Sequence, residues 1–146
     1  MCIGLGFATA EALVKLGANI YLACRSQERA KIAVDRLKEV AKETKQHEAQ
    51  VIEFLPLDLL NLSSIRKFVA DFKALNVPLH VLINNAGVAI MPEEHKDENI
   101  SMDLMFAANC FGPFVLTELL MSELQKTRGR VVSVSSGAHT YLSEKD

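Results

Sequence analysis

Two alternating periods constrain this chain more than any other feature of its sequence. Short apolar runs at residues 19–24, 50–55, 79–83 and 130–135 are separated by longer stretches whose apolar residues recur at helical spacing. Short runs bounded by turn residues read as buried strands, and the longer stretches as amphipathic helices. The stretch 5–16 carries Phe7, Leu13 and Leu16 and stops at Gly17. Ser26 is placed to cap a charged helix carrying Ile32, Val34, Leu37 and Val40. Residues 61–73 set Ile65, Phe68, Val69 and Phe72 at helical spacing. A turn-rich segment at 87–99 leads into a long helical stretch over 100–124. Helix then strand, four times over, predicts an α/β fold with a parallel sheet covered by helices on both faces.

Composition narrows the function classes. The 146 residues are 49% hydrophobic and 23% charged, which excludes a disordered chain and fits a single domain. A formal charge of −2 argues against nucleic-acid binding, whose affinity comes from clustered Lys and Arg. No uninterrupted apolar run reaches the ~18–20 residues of a membrane span, and no basic-then-apolar leader opens the chain. Three widely spaced cysteines, Cys2, Cys24 and Cys110, form no C-x-x-C pair. They speak against a disulfide framework or a zinc site and for an intracellular, reducing compartment.

The glycines come next. Gly4 and Gly6, flanking Leu5, stand just before the first helix. Glycines there let a backbone approach a pyrophosphate while the helix N-terminus offers its N–H groups. Alone they fit equally well a loop glycine and a helix-packing glycine. A dinucleotide fold sets its cofactor-discriminating residue ~20 positions later, at the end of the following strand. That place holds Arg25 and no carboxylate. A carboxylate would accept the ribose 2′-OH of NAD, whereas a guanidinium pairs with the 2′-phosphate of NADP. The plainer reading of Arg25 is a solvated charge at a strand end.

The motifs G-L-G-F-A-T-A (4–10), A-C-R-S (23–26), L-D-L (57–59), L-I-N-N-A-G (82–87), N-C-F-G (109–112) and V-S-V-S-S (132–136) follow in order. Together they resemble the short-chain dehydrogenase/reductase family, and A-C-R with H-V-L-I-N-N-A-G resembles its retinol-dehydrogenase-like branch. The resemblance implies an NAD(P)-binding Rossmann fold over residues 1–146. It matches Gly4 and Gly6 to the last two glycines of a T-G-x-x-x-G-x-G phosphate turn. It matches Asp58, beside Leu59, to an adenine contact, although a carboxylate there also suits an ordinary turn. Asn84, Asn85, Ala86 and Gly87 match the segment that steadies the central sheet and lies along the cofactor. Asn109 matches the asparagine that holds a water of the proton relay, and Ser136 the serine that hydrogen-bonds the substrate oxygen. Of the two adjacent serines, strand alternation also favours Ser136 over Ser135.

Against the family pattern, the first strand with its T-G and the catalytic Tyr-x-x-x-Lys helix are expected to be missing. Tyr141-Leu-Ser-Glu-Lys145 matches the second motif literally, but it begins five residues after Ser136, too soon for a chain that must reach a new helix and return. His139 reads as a loop histidine. The expected strands are therefore family strands two to five without their centre, an incomplete Rossmann domain unstable by itself and with little turnover. For the parent protein, the resemblance implies hydride transfer between NADP(H), favoured over NAD(H), and a small carbonyl or alcohol substrate of lipid-like kind. It places that protein in the cytoplasm or on the cytoplasmic face of a membrane, with oligomers possible through the long helix. The alternative is a Rossmann-like nucleotide-binding or regulatory protein without catalysis.

Overall fold

The computed structural model of the chain describes residues 4–44, 50–88 and 103–137. The elements run α1 (Leu5–Lys15), β1 (Ile20–Cys24), α2 (Gln27–Glu43), β2 (Ile52–Pro56), α3 (Leu62–Ala74), β3 (Val81–Asn84), α4 (Leu104–Thr127) and β4 (Arg130–Ser133). Each boundary has a local cause. Gly17, at φ 86°, ends α1 by donating to the Val14 carbonyl, while Ala18 donates to Leu13. Ser26 and Asn61 accept from Arg29 and Ser64 N–H and cap α2 and α3.

All observed pairing is parallel. Ile20 to Cys24 lie opposite Ile52 to Pro56, and Val81 to Asn84 opposite Arg130 to Ser133. Among the described residues the two pairs are not hydrogen-bonded to each other, so β1 and β3 each keep one open edge. In the strand order 3-2-1-4-5-6 these pairs correspond to strands 3-2 and 4-5, with the place of strand 1 between them.

Two apolar cores cover the sheet. Ala10, Val14, Leu37, Ala41 and Ile52 join α1 and α2 to β1–β2 on one face. Ile65, Phe68, Val69 and Phe72 of α3 meet Leu116 and Leu120 of α4, with Tyr21, Leu55 and Leu82 beneath. This second core spans both strand pairs. By length and composition α4 is able to cross a membrane; Leu116, Leu120 and Leu124 are buried in the molecule, whereas Met105, Phe106, Phe114 and Leu119 are exposed.

Some expectations need correction. Ile32 is 57% exposed, because the buried face of α2 is Ala30, Ala33, Leu37 and Ala41. Five residues separate Ile32 from Leu37, about 140° around the helix. Leu16 lies past the end of α1 and is exposed. Residue 50 is not in β2: the Gln50 Nε2 donates to the Val14 and Ala18 carbonyls at 2.9 and 2.8 Å and closes the C-terminal end of α1. β4 stops at Ser133, two residues early. Cys2, the expected helix start at 100–102, His139, Tyr141 and Lys145 lie outside the described residues.

Candidate dinucleotide site

Gly4 takes φ 86° and ψ −144°, a conformation that side-chain-bearing residues avoid. Its carbonyl accepts the Ala8 N–H at 3.0 Å, the first hydrogen bond of α1. The N–H groups of Leu5, Gly6 and Phe7 precede that bond, and among the described residues no side-chain cap is seen on them. Leu5 itself is exposed. These uncapped donors and the positive end of the helix dipole form an opening suited to an anion.

α1 returns through a tight turn into β1, so its N-terminus lies at the end where β1 finishes. Arg25 directly follows Cys24 there, exposed, and among the described residues no ion pair engages it.

The exit of β2 is more rigid. Leu57 N–H continues the ladder by donating to the Cys24 carbonyl at 3.1 Å. The Asp58 carboxylate accepts the Leu60 N–H at 3.0 Å, and Asp58 N–H donates to Ser64 Oγ at 2.9 Å. Asp58 is thus a turn carboxylate whose position is set by Ser64 in the first turn of α3. Leu59 is half-buried against α4. A Cβ added to Gly112 would collide with the Leu59 carbonyl and lie 2.9 Å from its Cβ.

After β3 the chain runs along α4. Asn84 Nδ2 donates to Thr117 Oγ1 at 3.1 Å, and the Asn84 carbonyl accepts Val134 N–H at 2.9 Å. Four residues on, Asn109 Oδ1 accepts Val88 N–H at 2.9 Å while its Nδ2 donates to the Val88 carbonyl at 2.8 Å. Asn85 is half-buried between these anchors, and Ala86 and Gly87 are exposed. The Asn109 amide is therefore engaged at both ends by backbone. Its main-chain carbonyl is a different matter. Residues Ala107–Phe111 form a π turn, with Gly112 N–H on the Ala107 carbonyl, and Pro113 has no N–H to give the carbonyl four residues before it.

Ser136 is exposed, three residues beyond Ser133, which lies opposite Asn84. It leaves the sheet at the same end as Asn85–Gly87. The alternation argument for Ser136 over Ser135 fails, because regular strand ends before either serine. The match to the family pattern is what distinguishes them. Sequence reasoning missed Ser64, Gln50 and Thr117; for Thr117 the available signal was its spacing of eight from Asn109, which puts both on one helix face.

Apart from Asn109, which lies within α4, the predicted residues follow a strand's C-terminal end or open α1, where open α/β sheets hold their ligands. The family model for short chain dehydrogenase matches residues 1–144. The chain belongs to that family. It is 38% identical over 146 residues to human polyprenol dehydrogenase, covering 97% of this chain and 42% of the relative. The fold is similar to that of an alcohol dehydrogenase from Thermococcus sibiricus complexed with 5-hydroxy-NADP (TM-score 0.73, 22% identity, 91% of this chain and 54% of that one). A metagenomic short-chain oxidoreductase in complex with NADP is equally similar (TM-score 0.73, 23% identity, 92% and 58%). The chain spans about two fifths of the length of the curated relatives it matches.

Proposed function

We propose that the chain is the dinucleotide-holding part of an NADP(H)-dependent oxidoreductase acting on a carbonyl or alcohol of lipid-like character. The observation that carries the cofactor preference is Arg25, exposed at the end of β1 where an NAD enzyme keeps a carboxylate. The residues suit the group. The uncapped N–H groups after Gly4 would bind its pyrophosphate, Arg25 its 2′-phosphate, and the Asp58–Leu59 turn its adenine. Asn85, Ala86 and Gly87 would lie along it, with no side chain on Gly87 to obstruct a close approach. When bound, the nicotinamide donates or accepts the hydride.

The chain's own residues then have distinct tasks. Ser136 would hold the substrate oxygen by a hydrogen bond that strengthens as charge develops there. The main-chain carbonyl of Asn109, to which Pro113 offers no N–H four residues on, would hold the relay water, since its side-chain amide is engaged by Val88. The resemblance assigns proton transfer to a Tyr-x-x-x-Lys pair other than Tyr141 and Lys145, so we read residues 1–146 alone as having little turnover. The name of the human relative supports a long apolar substrate, as does the retinol-dehydrogenase-like wording of the motifs. The cysteine spacing supports a cytoplasmic setting.

Oxidation of NADPH by the full-length protein with apolar aldehydes and ketones tests the proposal. Ser136→Ala is expected to lower kcat by about 10²–10³. An unchanged kcat, or no hydride transfer to any apolar carbonyl, contradicts it.

A further inference from the structure

Thr117 has no place in the family pattern carried over above, yet it touches the residue from which the cofactor segment departs. Its hydroxyl makes two contacts. Thr117 Oγ1 donates to the Pro113 carbonyl at 2.8 Å, one turn back, and accepts from Asn84 Nδ2 at 3.1 Å. A threonine hydroxyl has a single proton. With that proton on Pro113, only the oxygen lone pairs face Asn84, so the Asn84 amide must present its NH₂ to α4 and its Oδ1 away from it. Thr117 thereby fixes which end of the amide faces which way.

The second anchor is Asn109, whose amide holds both backbone groups of Val88. Asn109 and Thr117 are eight residues apart, about two turns, on one face of α4 and ~12 Å apart along its axis. From Asn84 to Val88 the chain takes four steps, which at ~3.3 Å each reach about 13 Å when extended. Four residues can therefore reach from one tie to the other. Asn85, Ala86 and Gly87 lie between the ties, and Asn85 N–H is itself held on the Ile83 carbonyl at 3.1 Å.

We propose that Thr117 is a positioning residue that, with Asn109, holds both ends of Asn84–Val88 against α4 and so presents Asn85–Gly87 in the shape the nicotinamide half of the dinucleotide requires. The inference rests on the dinucleotide reading of the site. It touches only one half of the ligand, because the phosphate turn at Gly4 and the charge at Arg25 belong to other elements.

That division supplies the test. In the full-length protein, NADPH and 2′,5′-ADP, which lacks the nicotinamide half, are titrated against wild type, Thr117→Val and Thr117→Ser. Valine keeps the shape and removes both hydrogen bonds; serine keeps the hydroxyl. Thr117→Val is expected to bind NADPH about five- to tenfold more weakly, the worth of one hydrogen bond, with 2′,5′-ADP affinity unchanged. Amide exchange at residues 85–88 should rise while that of β2 stays constant, and Thr117→Ser should restore both readouts. Equal NADPH affinity in Thr117→Val and wild type overturns the inference and leaves the dinucleotide reading intact. Equal weakening of both ligands overturns it too, since the hydroxyl would then serve the fold at large. So does loss of a cooperative melt in Thr117→Val and Thr117→Ala alike. A wild-type protein that binds neither ligand removes the dinucleotide reading and this inference with it.

Discussion

Two glycines on the ligand side of the molecule have opposite reasons to be glycine. A Cβ added at Gly112 runs into the backbone of Leu59, so the closeness of α4 to the β2 exit depends on its absence. Gly112→Ala is expected to cost about 1–3 kcal/mol, read as a lower melting temperature. At Gly87 the same Cβ meets, among the described residues, Asn109 Oδ1 at an ordinary 3.6 Å. Gly87→Ala should therefore melt like wild type, within about 0.5 kcal/mol, and yet bind NADPH at least tenfold more weakly. Equal NADPH affinity would show that the open space at Gly87 serves no ligand. Gly4, Arg25, Asn109 and Ser136 were legible in sequence because their chemistry sits in short motifs. The partner of Asn109 was not: Val88 is 21 residues away, and only folding brings its backbone to the amide. Thr117 was hidden for the same reason, 33 residues from Asn84.

Among the elements, β1 and α3 show how a strand and a helix constrain one titrating group. Tyr21 on β1 meets Phe72 of α3 edge-on, ring centroids 5.6 Å apart and planes at 89°. Burial holds its phenol above the usual tyrosine range, and Glu53, opposite it on β2, pushes the same way. A folded value above the unfolded one means that the associated stability is fully present below the unfolded pKa, about 10. It is lost as pH rises through the folded value. The melting temperature should hold to about pH 9 and then fall, and Tyr21→Phe should fall less steeply; parallel curves for the two proteins would refute the assignment. Among the described residues the element types were readable, since short apolar runs bounded by turn residues alternate with longer stretches of helical period. Their ends were not. Gln50 has the composition of a strand start but turns its side chain to the end of α1. Ile32 looks like core until Ala30, Ala33 and Ala41 show which face is covered.

The described residues form two parallel strand pairs, both reached by the α3–α4 core while the α1–α2 core covers β1–β2, with β1 and β3 each open along an edge. Val81, Val131, Val132 and Val134 of the β3–β4 side are also exposed. Open edges beside exposed valines favour strand pairing between molecules. The 146 residues expressed alone are expected to associate with rising concentration and to lack a cooperative thermal transition; a monomeric sample with a sharp melt contradicts this. Composition cannot reveal such a division, because 49% hydrophobic residues describe a split sheet and a continuous one equally well. The order of strands does, once β1–β2 and β3–β4 are seen to pair separately. The proposed site depends on that order, since it sets Arg25, Asp58, Asn85–Gly87 and Ser136 beyond strand ends, with Gly4 opening α1. Its most direct test is equilibrium titration of the full-length protein with NADPH and NADH, beside Arg25→Ala. NADPH should bind about 10–100-fold tighter than NADH in wild type, the worth of a charge-assisted pair, and the ratio should fall to near one in Arg25→Ala with NADH binding retained. Equal affinities in wild type, or a preference for NADPH that survives Arg25→Ala, would contradict it.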